Sequence, residues 1–124
     1  MDQASLAQRA VAELVGTAFL TLGIIGSGIA ASRLSHGDVA FDLVANAIAT
    51  GLVLVALILA VGSLSGGQLN PAVTLVAWIS GGLSRRDAGV YASAQIAGAV
   101  LGAVVANLIF RLDAINGSDH ARPG

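Results

Sequence analysis

Cysteine and lysine are absent from this 124-residue chain, aromatics make up 4% of it and charged residues only 10%. The missing cysteines exclude disulfides, Fe–S clusters and thiolate nucleophiles. Soluble domains are roughly 25% charged, and both disordered segments and coiled coils depend on charge, so all three classes fit poorly. Six arginines against seven acids leave a net charge of −1, which removes the basic footprint of a nucleic-acid binder. His36 and His120 lie far apart with no ligand spacing around them, so no metal site is expected. The apolar runs hold no paired carboxylate, no Ser–His or His–Asp set and no cofactor motif, so neither an enzyme nor a cofactor is expected.

What the chain has instead is apolar and small. Hydrophobic residues reach 56%, above the roughly 45–50% of soluble domains, and mean hydropathy is +0.84. A soluble chain of this size leaves too much surface wet to hide that much apolar area. Glycine is 16 of 124 residues, about twice the usual ~7%. Small residues in place of large ones point to helices packed backbone to backbone in a bilayer.

The first apolar run lies between Arg9 and Arg33 and carries one charge, Glu13. It suits a helix crossing a hydrocarbon core of about 30 Å, which takes about 20 residues. Ser5 and Gln8 stand in capping-box spacing and place its start near Leu6. The second run begins after Asp42 and meets no charge before Arg85, roughly twice one span. Leu43 to about Ser63 reads as one helix. Then come uncharged breaker residues, Ser63-Leu64-Ser65-Gly66-Gly67-Gln68-Leu69-Asn70-Pro71, and an apolar piece from Ala72 to Ile79 that is too short to span. Such a loop feeding a half-length helix is the pattern of a re-entrant segment, tolerated at membrane depth only where protein or a water-filled cavity satisfies its backbone. Ser84 and Asp87 mark the start of a third span near Arg85, and Arg111 ends it. The reading is an all-α membrane protein with spans at about 6–32, 43–63 and 86–110. A re-entrant loop and half-helix fill 64–80, all within one unit over 1–111. Residues 112–124 are expected as a polar tail or the remnant of a linker, with an Asn116-Gly117 turn signal. With the N-terminus inside, the arginines divide three to each side and give no positive-inside bias.

Asn70-Pro71-Ala72 opens the short helix. Proline suits the first helical position, where its missing N–H costs nothing. Asn70 is then the N-cap, its oxygen accepting from the N–H groups two or three residues on and its NH₂ left free to face outward. The helix N-terminus carries roughly +0.5 e. At mid-membrane this end offers a donor to a neutral oxygen and raises the energy of cations.

The run Ser65-Gly66-Gly67-Gln68-Leu69-Asn70-Pro71-Ala72-Val73-Thr74 resembles the first signature loop of the major intrinsic proteins, the aquaporins and aquaglyceroporins. Ala12-Glu13-Leu14-Val15-Gly16-Thr17, Ala49-Thr50-Gly51-Leu52 and Tyr91 with Ala94-Gln95-Ile96-Ala97-Gly98-Ala99 resemble the family's first-, second- and third-helix motifs, so the likeness covers nearly the whole chain. Gly26-Ser27-Gly28-Ile29 through Leu43-Val44-Ala45-Asn46-Ala47 further resembles bacterial members associated with arsenic-resistance operons. The resemblance implies one of the two inverted repeats of such a channel, in a multi-pass protein of the inner membrane. It implies passage of water or small neutral solutes such as glycerol or arsenite once a second half-repeat completes the pore. That half would be a second, antiparallel copy or a complementary repeat, and pores would group as a tetramer. The rival reading is a truncated, non-transporting half-protein, inserted as a helical bundle only.

By resemblance, Asn70, Pro71, Ala72, Val73, Thr50, Gly66, Gly67 and Gln68 line the pore, and Glu13 and Gln95 brace the loop. Two departures bear on selectivity. Thr50 stands where the family often has a filter aromatic, and the filter arginine belongs to a second loop that this chain does not carry. Gly16, Gly51, Gly98 and Gly102 are expected at helix contacts. Glu13 has a plainer alternative as a surface partner of Arg9, four residues earlier. Gln95 has one as a simple interhelical amide. Trp78 and Tyr91 read as interfacial anchors.

Overall fold

The computed structural model describes residues 3–115 and is all helical there, in the order α1 (Leu6–Leu34), α2 (Val39–Ser65), α3 (Pro71–Ile79) and α4 (Arg85–Ile109). Helices α1, α2 and α4 are each long and apolar enough to cross a membrane. Helix α3, at nine residues, is about 14 Å long and cannot. The Asn116-Gly117 turn and the rest of the polar tail lie outside the described residues.

Local chemistry sets most helix ends. Ser5 accepts from the Gln8 N–H while the Gln8 side chain accepts from the Ser5 N–H, a complete capping box for α1. Ser84 Oγ accepts from the Asp87 N–H at the start of α4. Helix α2 begins at Val39, four residues before the Leu43 expected from sequence. Asp38 caps it through the Phe41 N–H, and Asp42 sits inside the first turn, where the macrodipole favours an acid. It also runs two residues past Ser63, to Ser65. Helix α3 ends at Ile79; beyond the Ser80 cap, Gly81 takes φ +77° while the Gly82 N–H reaches back to the Ala77 carbonyl.

Helix α1 packs against both α2 and α4, and α3 packs on α4. The α1–α4 contact is built on small residues. A Cβ at Gly98 would lie 2.2 Å from the Leu14 carbonyl oxygen, and one at Gly102 2.2 Å from that of Ala18. One turn further on, Ala106 is fully buried. The backbones touch, so packing rather than apolar driving force holds the pair in lipid. Gly16 clears space for the loop residue Leu69, whose Cδ2 would lie 2.5 Å from a Cβ there. Gly51 departs from the expected packing role: a Cβ there would meet nothing within 4 Å, because α2 gives only one face to α1 and Gly51 lies off it.

Both ends of the α1–α4 pair are tied. Arg9 Nη2 donates to Asp87 Oδ2 at 2.8 Å and its guanidinium lies 5.8 Å from the Tyr91 ring centre. Arg33 donates to the Phe110 carbonyl at 2.8 Å, serving the open C-terminal end of α4. The outer faces stay apolar and exposed, Leu59 on α2 and Leu34 on α1 most of all among the spans. In a bilayer they face acyl chains or a partner.

The glycine contacts yield a paired expectation for thermal unfolding in detergent. Gly98→Ala should cost ~1–3 kcal/mol, because α4 must move off α1. Gly51→Ala should be neutral or stabilising by up to ~1 kcal/mol, as expected for alanine in an unobstructed helix.

Candidate functional site: a re-entrant loop held by a buried carboxylate

Helix α2 ends inside the bundle rather than at its edge. Gly66 takes φ +93° and its N–H returns to the Gly62 carbonyl, a left-handed cap that only glycine adopts without strain. Gly67 follows at φ +59°, close enough to α2 that a Cβ would lie 3.3 Å from Gly62 Cα. Two residues in this conformation turn the chain back toward Glu13 on α1.

Glu13 receives it. The residue is fully buried, and each carboxylate oxygen accepts two hydrogen bonds. Oε1 accepts from Ser65 Oγ at 2.6 Å and from the Gln68 N–H at 3.0 Å. Oε2 accepts from the Leu69 N–H at 2.6 Å and from Gln95 Nε2 at 2.8 Å. Four donors match the four lone-pair sites of a carboxylate. Two of them are loop amides that would otherwise be unpaired at membrane depth, at several kcal/mol each. Arg9 turns to Asp87 instead, so the Arg9–Glu13 surface pair does not form.

From Glu13 the bonding runs through every element. Gln95 Nε2 on α4 also donates to Thr74 Oγ1 on α3 at 2.8 Å, and Thr74 Oγ1 donates to Gln68 Oε1 in the loop at 2.7 Å. Since Gln68 also donates its N–H to Glu13, the ring closes. Tyr91 Oη donates to the Ser65 carbonyl at 2.7 Å. Tyr91 is therefore not an interfacial anchor: it is 1% exposed and ties α4 to the end of α2. Sequence reasoning overlooked Ser65, Thr74 and this role of Tyr91, because their partners lie far along the chain.

Leu69 is the strained member. It takes φ +51°, a conformation that costs a non-glycine residue roughly 1–2 kcal/mol. Its N–H bond to Glu13 and a side chain 2% exposed against Gly16 offset that cost.

Asn70 then caps α3. Its Oδ1 accepts from the Ala72 N–H at 2.8 Å and its backbone carbonyl from the Thr74 N–H, while Pro71 takes the first helical position. Among the described residues, nothing accepts from Asn70 Nδ2. Gln95 lies ten residues, about 15 Å, along α4, and Asn70 is one turn beyond the level of its partner Thr74. The exposed α3 start thus lies about halfway along the 25-residue α4.

The expected lining residues divide. Gly66, Asn70, Pro71, Ala72 and Val73 are exposed. Gly67 is not: it is buried against α2. Gln68 is half-buried and its side-chain oxygen is taken by Thr74. Thr50 is half-buried with an enclosed hydroxyl that has no partner among the described residues. No group of side chains suited to a metal ion occurs among those residues.

Three helices long enough to span a membrane, with a capped half-length helix folded back among them, define an integral membrane protein of the re-entrant kind. The chain matches the family described as Major intrinsic protein over residues 1–122, and it belongs to that family. Members are membrane-embedded, oligomeric channels and not enzymes, and this chain is a multi-pass protein of the cell membrane, the inner one where there are two. It is 47% identical over 124 residues to Aquaglyceroporin AqpS of Rhizobium meliloti (strain 1021), covering 100% of this chain and 53% of that protein. It is 38% identical over 108 residues to Aquaporin TIP1-2 of Zea mays, covering 86% of this chain and 41% of that protein. The chain thus spans about half the length of these curated relatives.

The geometry around Glu13 gives a graded expectation for unfolding in detergent. Glu13→Ala should cost at least ~1–3 kcal/mol for each buried loop amide it strands, and Glu13→Gln less, since one acceptor oxygen remains. Tyr91→Phe should cost about 1 kcal/mol by removing a single donor. If both Glu13 variants melt with the unsubstituted chain, the carboxylate does not hold the loop.

Proposed function

We propose that this repeat forms one half of a passive channel for water and small neutral solutes. The observation that carries the reading is the start of α3. A free amide donor, Asn70 Nδ2, sits with a helix N-terminus near mid-membrane on the unwalled side of the bundle. A neutral solute that sheds water there finds a replacement hydrogen bond. A cation meets the positive end of a dipole and is disfavoured.

The open side needs a wall. An apolar groove of about 400 Å³ runs between α3 and α4, lined by Pro71, Leu75, Trp78, Ala88 and Ala92 among others. Left to lipid, the α3 start and its loop would be solvated by nothing polar. A second half-repeat, either an antiparallel copy of this chain or a complementary repeat, covers the groove and brings a second half-helix end opposite the first. The pore-lining role falls to Asn70, Pro71, Ala72, Val73 and Gly66, and the wall at Thr50 is low and lacks an aromatic. A pore built from two copies would also lack a filter arginine. It would therefore be wide, passing glycerol or a neutral arsenite-sized solute along with water.

Stopped-flow swelling of proteoliposomes tests this. The expected result is fast water flux with glycerol flux beside it, both reduced at least ~10-fold in Asn70→Leu, which loses the cap and the donor together. Fast water flux with glycerol fully excluded contradicts the wide pore. No flux of either contradicts a pore built from two copies of this chain, which by itself would then be an inert bundle.

A further inference from the structure

Helix α2 is the least anchored of the long helices: no residue of its apolar stretch is buried, and it packs on α1 alone. At its loop end, Glu13 and Tyr91 hold Ser65. At its other end one side chain does the same work. Asn46 Nδ2 donates to the Ile24 carbonyl at 2.7 Å and to Ser27 Oγ at 2.9 Å. Gly28 faces this contact, and a Cβ there would lie 3.2 Å from Nδ2, so the missing side chain is what lets the amide in.

Thr50 lies one turn along α2 on the same face as Asn46. Its enclosed hydroxyl has no partner among the described residues, so nothing polar at Thr50 ties it to α1. Beyond it, Val53 rests on Gly23, with only van der Waals contact. The position of the α2 wall at Thr50 therefore depends on the clasp one turn away.

We infer that Asn46 is a positioning residue for the pore: it seats α2 on α1 at the level of Thr50, and so sets the lumen width there and the size of neutral solute admitted. Asn46 acts through the helix and not by touching solute. The inference rests on the channel reading above for its effect on selectivity, but the seating itself is measurable without flux.

The cysteine-free sequence gives a clean probe. A Cβ at Gly23 lies 3.4 Å from Val53 Cβ, close to the roughly 3.5–4.5 Å of a disulfide. In the double variant Gly23→Cys/Val53→Cys, in membrane vesicles under mild oxidation, crosslinking is expected to be fast. Adding Asn46→Leu should slow it about threefold or more, the effect of losing an interhelical hydrogen bond in lipid. Ser27→Ala, which leaves the Ile24 bond, should slow it less. In proteoliposomes without the cysteines, Asn46→Leu should keep water flux and raise the glycerol-to-water ratio. Asn46→Gln, which keeps a donor, should move the ratio part of the way back. An unchanged crosslinking rate in Asn46→Leu overturns the seating. A slowed rate with an unchanged ratio overturns the selectivity role. Absence of flux in the unsubstituted protein overturns the two-copy channel instead, and the crosslinking rate then decides the seating by itself.

Discussion

One buried carboxylate makes the re-entrant geometry affordable. Backbone that leaves a helix inside a bilayer exposes N–H groups that lipid cannot serve. Glu13 takes two of them, those of Gln68 and Leu69, and fixes its own orientation with Ser65 and Gln95. Without it the loop would need water or refolding into a helix, and α3 would not start near mid-depth. The other features of the site follow from that anchor. Leu69 is held in a left-handed conformation, Asn70 is turned so that its oxygen caps α3, and Thr74 is left on the inner face to meet Gln95 and Gln68.

The network also divides labour between the helices. Helices α1 and α4 form the rigid pair, with backbones in contact at Gly98 and Gly102 and ends joined by Arg9–Asp87 and Arg33–Phe110. Their side chains supply the fixed points, Glu13, Tyr91 and Gln95. Helix α2 contributes the entry to the loop and is held mainly at its two ends, by Ser65 and by Asn46.

Local features were legible in the sequence and long-range ones were not. The Ser5–Gln8 box, the Ser84 cap, the Asn70-Pro71 start and the three spans depend on neighbours within a turn, so pattern alone reaches them. The start of α2 is less legible, because Asp42 resembles a boundary charge, whereas an acid in the first turn is stabilised by the helix end. Glu13 and Gln95 gained their roles from family resemblance, since no local pattern tells a buried acid from a surface one. Tyr91 resembles an anchor in the sequence because its partner, the Ser65 carbonyl, is 26 residues away. Asn46, Ser27 and Gly28 carried no signal of a clasp, and Gly51 shows that a glycine in a span need not mark a contact.

Hydrogen–deuterium exchange at the Gln68 and Leu69 amides measures the central claim directly, in the unsubstituted chain and in Glu13→Ala, both in lipid nanodiscs. These two amides lie outside regular structure, so loop position alone would leave them unprotected. The account predicts slow exchange for both in the unsubstituted chain and fast exchange in the variant, with the α1 amides around Thr17 protected in each. Fast exchange at Gln68 and Leu69 in the unsubstituted chain would contradict it, because the loop would then stand without the carboxylate.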